Sequence, residues 1–531
     1  MTPDVYFSHH KEEQSNKISY GVLIVLVALL SGYYVQYLSD TIYGVIISYL
    51  MLLAVVISSF KGLDSAVKIY LLFSLITPQF SRTFVEQVVN SNNQEVGSFY
   101  SFHSVQLWGL GLSVVAIIYI GLIALCKLFY THAKLQRTNV SSYFISLYVV
   151  CGFLLLATII STAIGKVPDM RNIISDARLF IVWTIGALVA NLIYKDKNII
   201  VKIYDILFFS ICVVGVRTLY FLLNDYVTGT PNLEYATQAY VAYPLMFVFA
   251  MATRNKLKRA VLTGLSLLAA ISMKREDIAF VFICIMLLLF LILLFRNNIL
   301  RTNAIIALVM LILIAFLFVF TLSVYSPQSF DFLLYKFDFF SKLITGSEQS
   351  SGSVLVRLYE IRNIIGASIN YIYPIFVGFG FGGYFDFSLT GFPINLGISD
   401  YSFNEILQNK FVRPHSFTNY IFLKGGLIFL IYYLGVILLF MNQSYKMMKK
   451  TLIIGTIYSK EFKVYLFCFL YAVFCVNMFW QPMHIFLFAF LLNFIIAEKY
   501  KKELVYNENI NSRSSIRKRA FEFQFGSNRV V

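Results

Sequence analysis

Long apolar runs, each closed by a short polar connection, set the rhythm of this chain from residue 18 to residue 497. In lipid only helices and closed barrels satisfy their own backbone, and a helix needs about 20 apolar residues to cross. Runs near 18–38, 41–60, 65–80, 104–130, 141–164, 178–194, 199–223, 236–252, 259–273, 277–295, 302–325, 416–441, 463–480 and 484–497 meet or approach that length. The pattern predicts an all-α polytopic membrane bundle of about 14 transmembrane helices.

The connections alternate in charge. Lys134 and Arg137, Lys195 and Lys197, Arg254 to Arg259, Arg296 and Arg301, and Lys446 to Lys463 fall on one side. Cationic loops stay in the cytoplasm, which places both termini inside. The expected order is a cytoplasmic N-terminus (1–17), spans one to eleven (18–325), a large outer loop (326–415), spans twelve to fourteen (416–497) and a basic cytoplasmic tail (498–531). No cleavable leader is expected: the first 17 residues are polar, and the run that follows is too long for a signal core.

Composition agrees with the pattern. Of 531 residues 59% are hydrophobic and 13% charged, against about 25% charged in soluble domains. A net charge of +16 would suit nucleic acid if it lay on one soluble face, but the cations punctuate apolar runs instead. The six cysteines sit in or beside those runs, so no disulfide framework is expected.

The outer loop is too long to lack structure of its own. Val354–Ile369 reads as an amphipathic helix with Val354, Leu358, Ile361 and Ile365 on one stripe. PIFVGFGFGGY, Pro374–Tyr384, reads as a structural glycine-rich turn without the strand–turn–helix setting of a nucleotide site.

Cations where the topology rule disfavours them carry the chemistry. Arg178 opens the sixth span, Arg217 interrupts the seventh, Lys274 and Arg275 occupy a tight outer turn, Arg357 and Arg362 lie on the loop helix, and Arg413 precedes His415. Ions within a membrane are costly and are functional candidates by default. A shared anionic ligand would account for several at once, since a guanidinium grips phosphate with two parallel donors. The plainer readings are a snorkelling Arg178, Arg275 paired with Glu276 or Asp277, Arg357 paired with Glu360 three residues on along a solvated helix face, and Arg362 and Arg413 as surface charges. Of six histidines, His9, His10 and His132 fall inside and His103, His415 and His484 outside. His415, where the loop re-enters the membrane, suits a general base, and His484 reads as an interfacial or capping residue. No spaced metal-ligand motif or DxD pair is present, so a metal-independent reaction without cofactor is expected.

Four segments together resemble the O-antigen ligase and O-antigen polymerase superfamily. They are DARLFIVWTIGALVA, AAISMKREDIAFVFICIMLLLF, VRLYEIRNIIGASINYIYPIFVGFGFGGY and PHSFTNYIFLKGGLIFLIYYLG, in order across roughly 175–440. The chain has Ser416 after His415 and Glu276 after Arg275, where the family often has Asn and Gly. The resemblance implies a GT-C-like bundle in the bacterial inner membrane, with its active site facing the periplasm. It also implies an undecaprenyl-pyrophosphate-linked glycan donor and inverting transfer. Arg178, Arg217, Arg275 and Arg357 would hold the pyrophosphate, and His415 would activate the acceptor or position the pyrophosphate. A polymerase of O-antigen, capsule or exopolysaccharide repeats leads, working among membrane lipids and alongside a chain-length regulator. A ligase acting on lipid A-core or a protein is the near alternative. A lipid-linked oligosaccharide flippase is the alternative of another class, which the lack of internal repeats disfavours.

Overall fold

The computed structural model describes residues 20–39, 41–77, 100–130, 139–167, 169–193, 199–228, 250, 253–271, 286, 298–325, 352–392, 401, 403–454, 458–476 and 482–497. It is an all-α membrane protein, about 82% helical among the described residues. Among the described residues five helices are long and apolar enough to cross a bilayer, and shorter apolar helices accompany them. The expected spans at 236–252 and 277–295 lie outside the described residues apart from Ala250 and Met286.

The helices are α1 (Tyr20–Tyr33), α2 (Ile42–Ser59), α3 (Leu63–Ile76), α4 (Leu112–Tyr130), α5 (Asn139–Ala163), α6 (Met170–Ile193), α7 (Ile199–Thr228), α8 (Lys256–Ile271) and α9 (Asn298–Tyr325). Then come α10 (Gly352–Tyr371), α11 (Tyr373–Val377), α12 (Phe403–Gln408), α13 (Phe417–Ile454), α14 (Lys460–Cys475) and α15 (Pro482–Ala497). Polar caps start several of them by satisfying amides that have no partner within the helix. Thr41 accepts from Tyr43 N at 3.3 Å, Asp169 from Arg171 N at 3.0 Å, and Ser459 from Phe462 N at 3.2 Å.

α14 and α15 form the centre, with Phe462–Cys475 and Met483–Ala497 buried. The perimeter is apolar too: Leu26 and Leu30 of α1, Ile46 and Leu50 of α2, and Ile312 and Phe316 of α9 are exposed. Water would penalise such a surface, whereas lipid tails accept it.

Two sequence expectations shift. α6 begins at Met170, so Arg178 lies about two turns inside the helix rather than opening it. Hydropathy marks only the apolar part of a helix; here the capped first turns are polar because they carry Asp176 into the interior. The loop helix exists, but its apolar stripe faces outward. Leu358, Ile361 and Ile365 are exposed, while Val356, Glu360, Asn363, Ile364 and Ser368 face in. Amphipathicity shows that a helix has two faces, and in a membrane either one can be the lipid side.

The feature that positions the site is a break in α13. Gly426 takes φ 57° and ψ −157° inside the helix. The break deprives the carbonyls of Leu423 and Lys424 of their usual partners four residues on. Phe379 N and Gly380 N donate to them instead, each at 2.8 Å. The glycine-rich turn is therefore a thread laid backbone to backbone against the broken helix. A Cβ on Gly378 (φ 69°) would stand 2.2 Å from the Lys424 carbonyl carbon, and one on Gly426 2.5 Å from that of Phe376.

Gly378→Ala combines a left-handed backbone with a backbone collision, and overpacking alone costs about 1–3 kcal/mol. We expect thermal unfolding in detergent to show a clear loss of stability. Gly435→Ala, where nothing lies within 4 Å, should be neutral or stabilising by up to about 1 kcal/mol. Equal unfolding temperatures for the two variants would refute the close approach.

Candidate functional site

Two polar layers meet at the first turns of α13. The deeper is an ion pair between Asp176 of α6 and Lys424 of α13, both 2% exposed at the side chain and 2.8 Å apart. Every partner they need is supplied. Tyr420 OH donates to Asp176 Oδ1 at 2.7 Å, and Gly382 N donates to Oδ2 at 2.7 Å. Lys424 Nζ also donates to the Gly383 carbonyl at 2.6 Å. Removing one member of a buried pair strands the other charge in a medium that cannot solvate it. The pair thereby fixes α6, the thread and α13 in one relation.

The upper layer centres on Glu360 of α10, whose side chain is fully buried. Its carboxylate accepts the backbone N–H of His415 at 3.0 Å on both oxygens. It also accepts the hydroxyl of Tyr401 and meets Nδ1 of His415. An acceptor-only carboxylate at Nδ1 selects the tautomer with the proton there, leaving Nε2 as the basic nitrogen. The His415 side chain is 23% exposed. Tyr401 stands edge-on to the imidazole at 4.7 Å between ring centres. Tyr401 is held in turn by an aromatic cluster with Phe385, Phe387, Phe392 and Phe411, and Phe385 and Phe411 are tied by a two-way backbone bridge.

Below this cluster Asp386 pairs with Lys166 at 3.1 Å. Burial raises the Asp386 carboxyl, but hydrogen bonds from Ser388 and Lys166 outweigh it and hold the group below the ordinary carboxylate value.

The expected site residues divide. Arg178 shares its electrostatic surroundings with Asp176, Tyr420 and Arg413. Arg413 is exposed, and its guanidinium donates to Ser175 Oγ, one turn before Arg178. The Arg357 carbonyl accepts from Asn419 Nδ2 at 3.4 Å, which sets the start of α10 beside the start of α13. Arg178 and Arg413 thus share the surroundings of Tyr420 in the first turn of α13, His415 lies just before that turn, and the backbone of Arg357 is set beside it; a helix start already favours anions. Arg217 is anchored elsewhere. It is 1% exposed and donates to Ser31 Oγ at 2.8 Å and to the carbonyl of Ile76, the last residue of α3. Lys274 and Arg275 lie outside the described residues, as do His9, His10 and His132.

The expectation of an Arg357–Glu360 pair on a solvated face does not describe Glu360, which faces the interior and takes His415. The same helix spacing holds either way; only the direction of the face differs. Arg362 is exposed, as a surface charge would be. His103 Nε2 meets the Ser74 carbonyl at 3.2 Å, and burial pushes its imidazole down to about 4. His484 is buried, with Nδ1 3.3 Å from the Tyr471 hydroxyl. Among the described residues five cysteines are free, Cys126, Cys151, Cys212, Cys468 and Cys475. Sequence reading missed Asp176, Lys424, Glu360 and Tyr401. Lys424 had a signal, a lone cation inside the apolar run NYIFLKGGLIFL.

Asp176→Asn should lower stability by about 3–5 kcal/mol, because Lys424 keeps its charge without a counter-ion. Adding Lys424→Met should recover much of that loss. A double-mutant cycle read by thermal unfolding in detergent checks this, and strictly additive losses would rule out the coupling.

No family model, no curated protein and no solved structure matches the chain.

Proposed function

We propose that this chain is a membrane-embedded glycosyltransferase of the polymerase type. It moves an undecaprenyl-pyrophosphate-linked glycan onto a sugar hydroxyl of another lipid-linked repeat. The observation that supports this reading most is the Glu360–His415 dyad at the N-terminal end of α13, with Arg178, Arg357 and Arg413 around it. A hydroxyl needs a base and a departing diphosphate needs fixed positive charge; the two requirements meet at one helix end.

In this proposal the acceptor hydroxyl attacks the anomeric carbon. The bond from that carbon to the diphosphate oxygen breaks, and the diphosphate leaves with the electron pair. The hydroxyl proton passes to Nε2 of His415, and configuration inverts. Glu360 holds the imidazole in its reactive tautomer and stabilises the imidazolium once the proton arrives. The guanidiniums stabilise the charge developing on the diphosphate, which is the part of such a reaction where fixed donors contribute most. Arg275 belongs to the same diphosphate-binding set in this proposal. Arg217 Nη1 meets Ser31 and the end of α3, which joins α1, α3 and α7. The finer architecture that goes with this reading is a GT-C-like bundle of about 14 spans in the bacterial inner membrane, with His415 facing the periplasm and the lysine-rich connections inside.

The test uses the purified full-length protein with a lipid-pyrophosphate glycan, following formation of new glycosidic bonds. His415→Ala should lower kcat by about 10²–10⁴-fold, the range of a positioned general base. Glu360→Gln should lower kcat by at least about tenfold with little change in KM, because it disturbs the tautomer rather than the binding. Each variant should keep its unfolding temperature to within a few degrees. Full transfer by a folded His415→Ala protein would remove the base assignment. Lipid translocation without any new bond would identify a flippase.

A further inference from the structure

Tyr401 touches both members of the dyad. Its hydroxyl donates to Glu360 Oε1, the oxygen that Nδ1 of His415 also meets. Its ring stands edge-on to the imidazole, 4.7 Å between centres with the planes 84° apart. The side chain is 6% exposed. The plain reading is a core aromatic: the ring lies 4.6 Å from that of Phe411 and 6.2 Å from those of Phe387 and Phe392. The other buried rings of this cluster are Phe379, Phe385, Phe387 and Phe411. Packing alone would be served by one more phenylalanine, because a buried hydroxyl costs free energy unless it is bonded. Here it is bonded, and to a carboxylate 41 residues away along the chain.

The hydroxyl and the ring do different things. Oε1 of Glu360 receives the Tyr401 hydroxyl, the His415 backbone N–H and Nδ1 of His415. Hydrogen bonds to a charged oxygen are strong and directional, so the phenol occupies one approach to Oε1 and leaves the imidazole another. The torsion that turns an imidazole about its Cβ–Cγ bond has broad, shallow minima. Neighbours must therefore fix the plane of the His415 ring, and the edge of Tyr401 is one of them. Tyr401 is held in its turn by Phe411, four residues before His415, and Phe411 is bridged to Phe385 of the thread. The orientation of the imidazole is thus referred back to the thread that the buried ion pair holds.

We propose that Tyr401 is a positioning residue for the Glu360–His415 dyad: its hydroxyl orients the carboxylate and its ring orients the imidazole, so that Nε2 is presented in one direction. The kinetic consequence rests on the transferase reading, whereas the orientation of His415 rests on geometry alone.

Two measurements on the full-length protein in detergent keep these apart. The first needs no substrate: carbethoxylation of His415 by diethylpyrocarbonate, read by mass spectrometry of the His415 peptide. The His415 side chain is 23% exposed and its Nε2 is buried. Tyr401→Ala should raise the rate at His415 by at least about fivefold, since access to a shielded group follows the free energy of opening it. His484, buried on α15, should stay unmodified in the same digest, which reports an intact fold. An unchanged rate at His415 would overturn the proposal whether or not the protein transfers glycan. The second measurement uses a lipid-pyrophosphate glycan and Tyr401→Phe, which keeps the ring and removes the donor. A packing role predicts no change. The positioning role predicts a fall in kcat of about tenfold, the worth of one hydrogen bond to a charged group, with KM within about twofold. In a Glu360→Gln background the same substitution should cost less than about twofold, because it acts through the carboxylate. Equal losses in the two backgrounds, or an unaltered kcat in Tyr401→Phe, would overturn the positioning role. Faster carbethoxylation in Tyr401→Ala beside a wild-type protein that forms no glycosidic bond would support the orientation of His415 by Tyr401 and remove the transferase reading.

Discussion

A single buried ion pair, Asp176 with Lys424, governs how the rest of this site is arranged. Its charges lie in a medium that cannot solvate them, so each must find its partners within the protein. The partners come from three separate stretches of chain: Tyr420 and Lys424 from the broken helix, Gly382 and Gly383 from the thread, and Asp176 from α6. None of the three can move without stranding a charge. The break at Gly426 and the thread are complementary, since the carbonyls one exposes are those the other satisfies. Rigidity at this level is what allows the layer above it to hold His415 in a fixed orientation.

That upper layer has a different character. Glu360 gathers donors from a backbone amide, a phenol and an imidazole, and it belongs to the same helix that carries Arg357. Tyr401 and His415 arrive from opposite sides of α12 and are brought together by the aromatic cluster rather than by sequence proximity. The lower layer is saturated with partners, whereas in the upper one the His415 side chain stays partly exposed although its Nε2 is buried.

Much of the fold was legible in the sequence, for a specific reason. A lipid environment offers no partner to a backbone amide, so an apolar run has little choice but to be helical. The run at 41–60 accordingly becomes Ile42–Ser59, and that at 484–497 becomes Pro482–Ala497. Hydropathy fails at the polar ends of helices, which is why it opens a span at Arg178 where α6 starts at Met170. The candidate site was legible only in part. His415 stood out as a histidine at a membrane boundary, and Arg178 and Arg357 as cations in disfavoured places. Their partners did not, because Glu360 lies 55 residues from His415 and Asp176 lies 244 from Tyr420. Spacing along one helix reveals neighbours on that helix; it is silent on which face turns inward. Glu360 is the case in point.

The outward stripe of α10 has a consequence for where this site sits. Leu358, Ile361, Ile365 and Ile369 are exposed on one side, and Glu360 and Asn363 are hidden on the other. A helix of this kind settles at the boundary between hydrocarbon and water, apolar side down. On the proposed reading, these four side chains would set the height of the imidazole relative to the bilayer. On that same reading, a reactant whose charged group rides at the same boundary would meet His415 without being lifted out of the membrane.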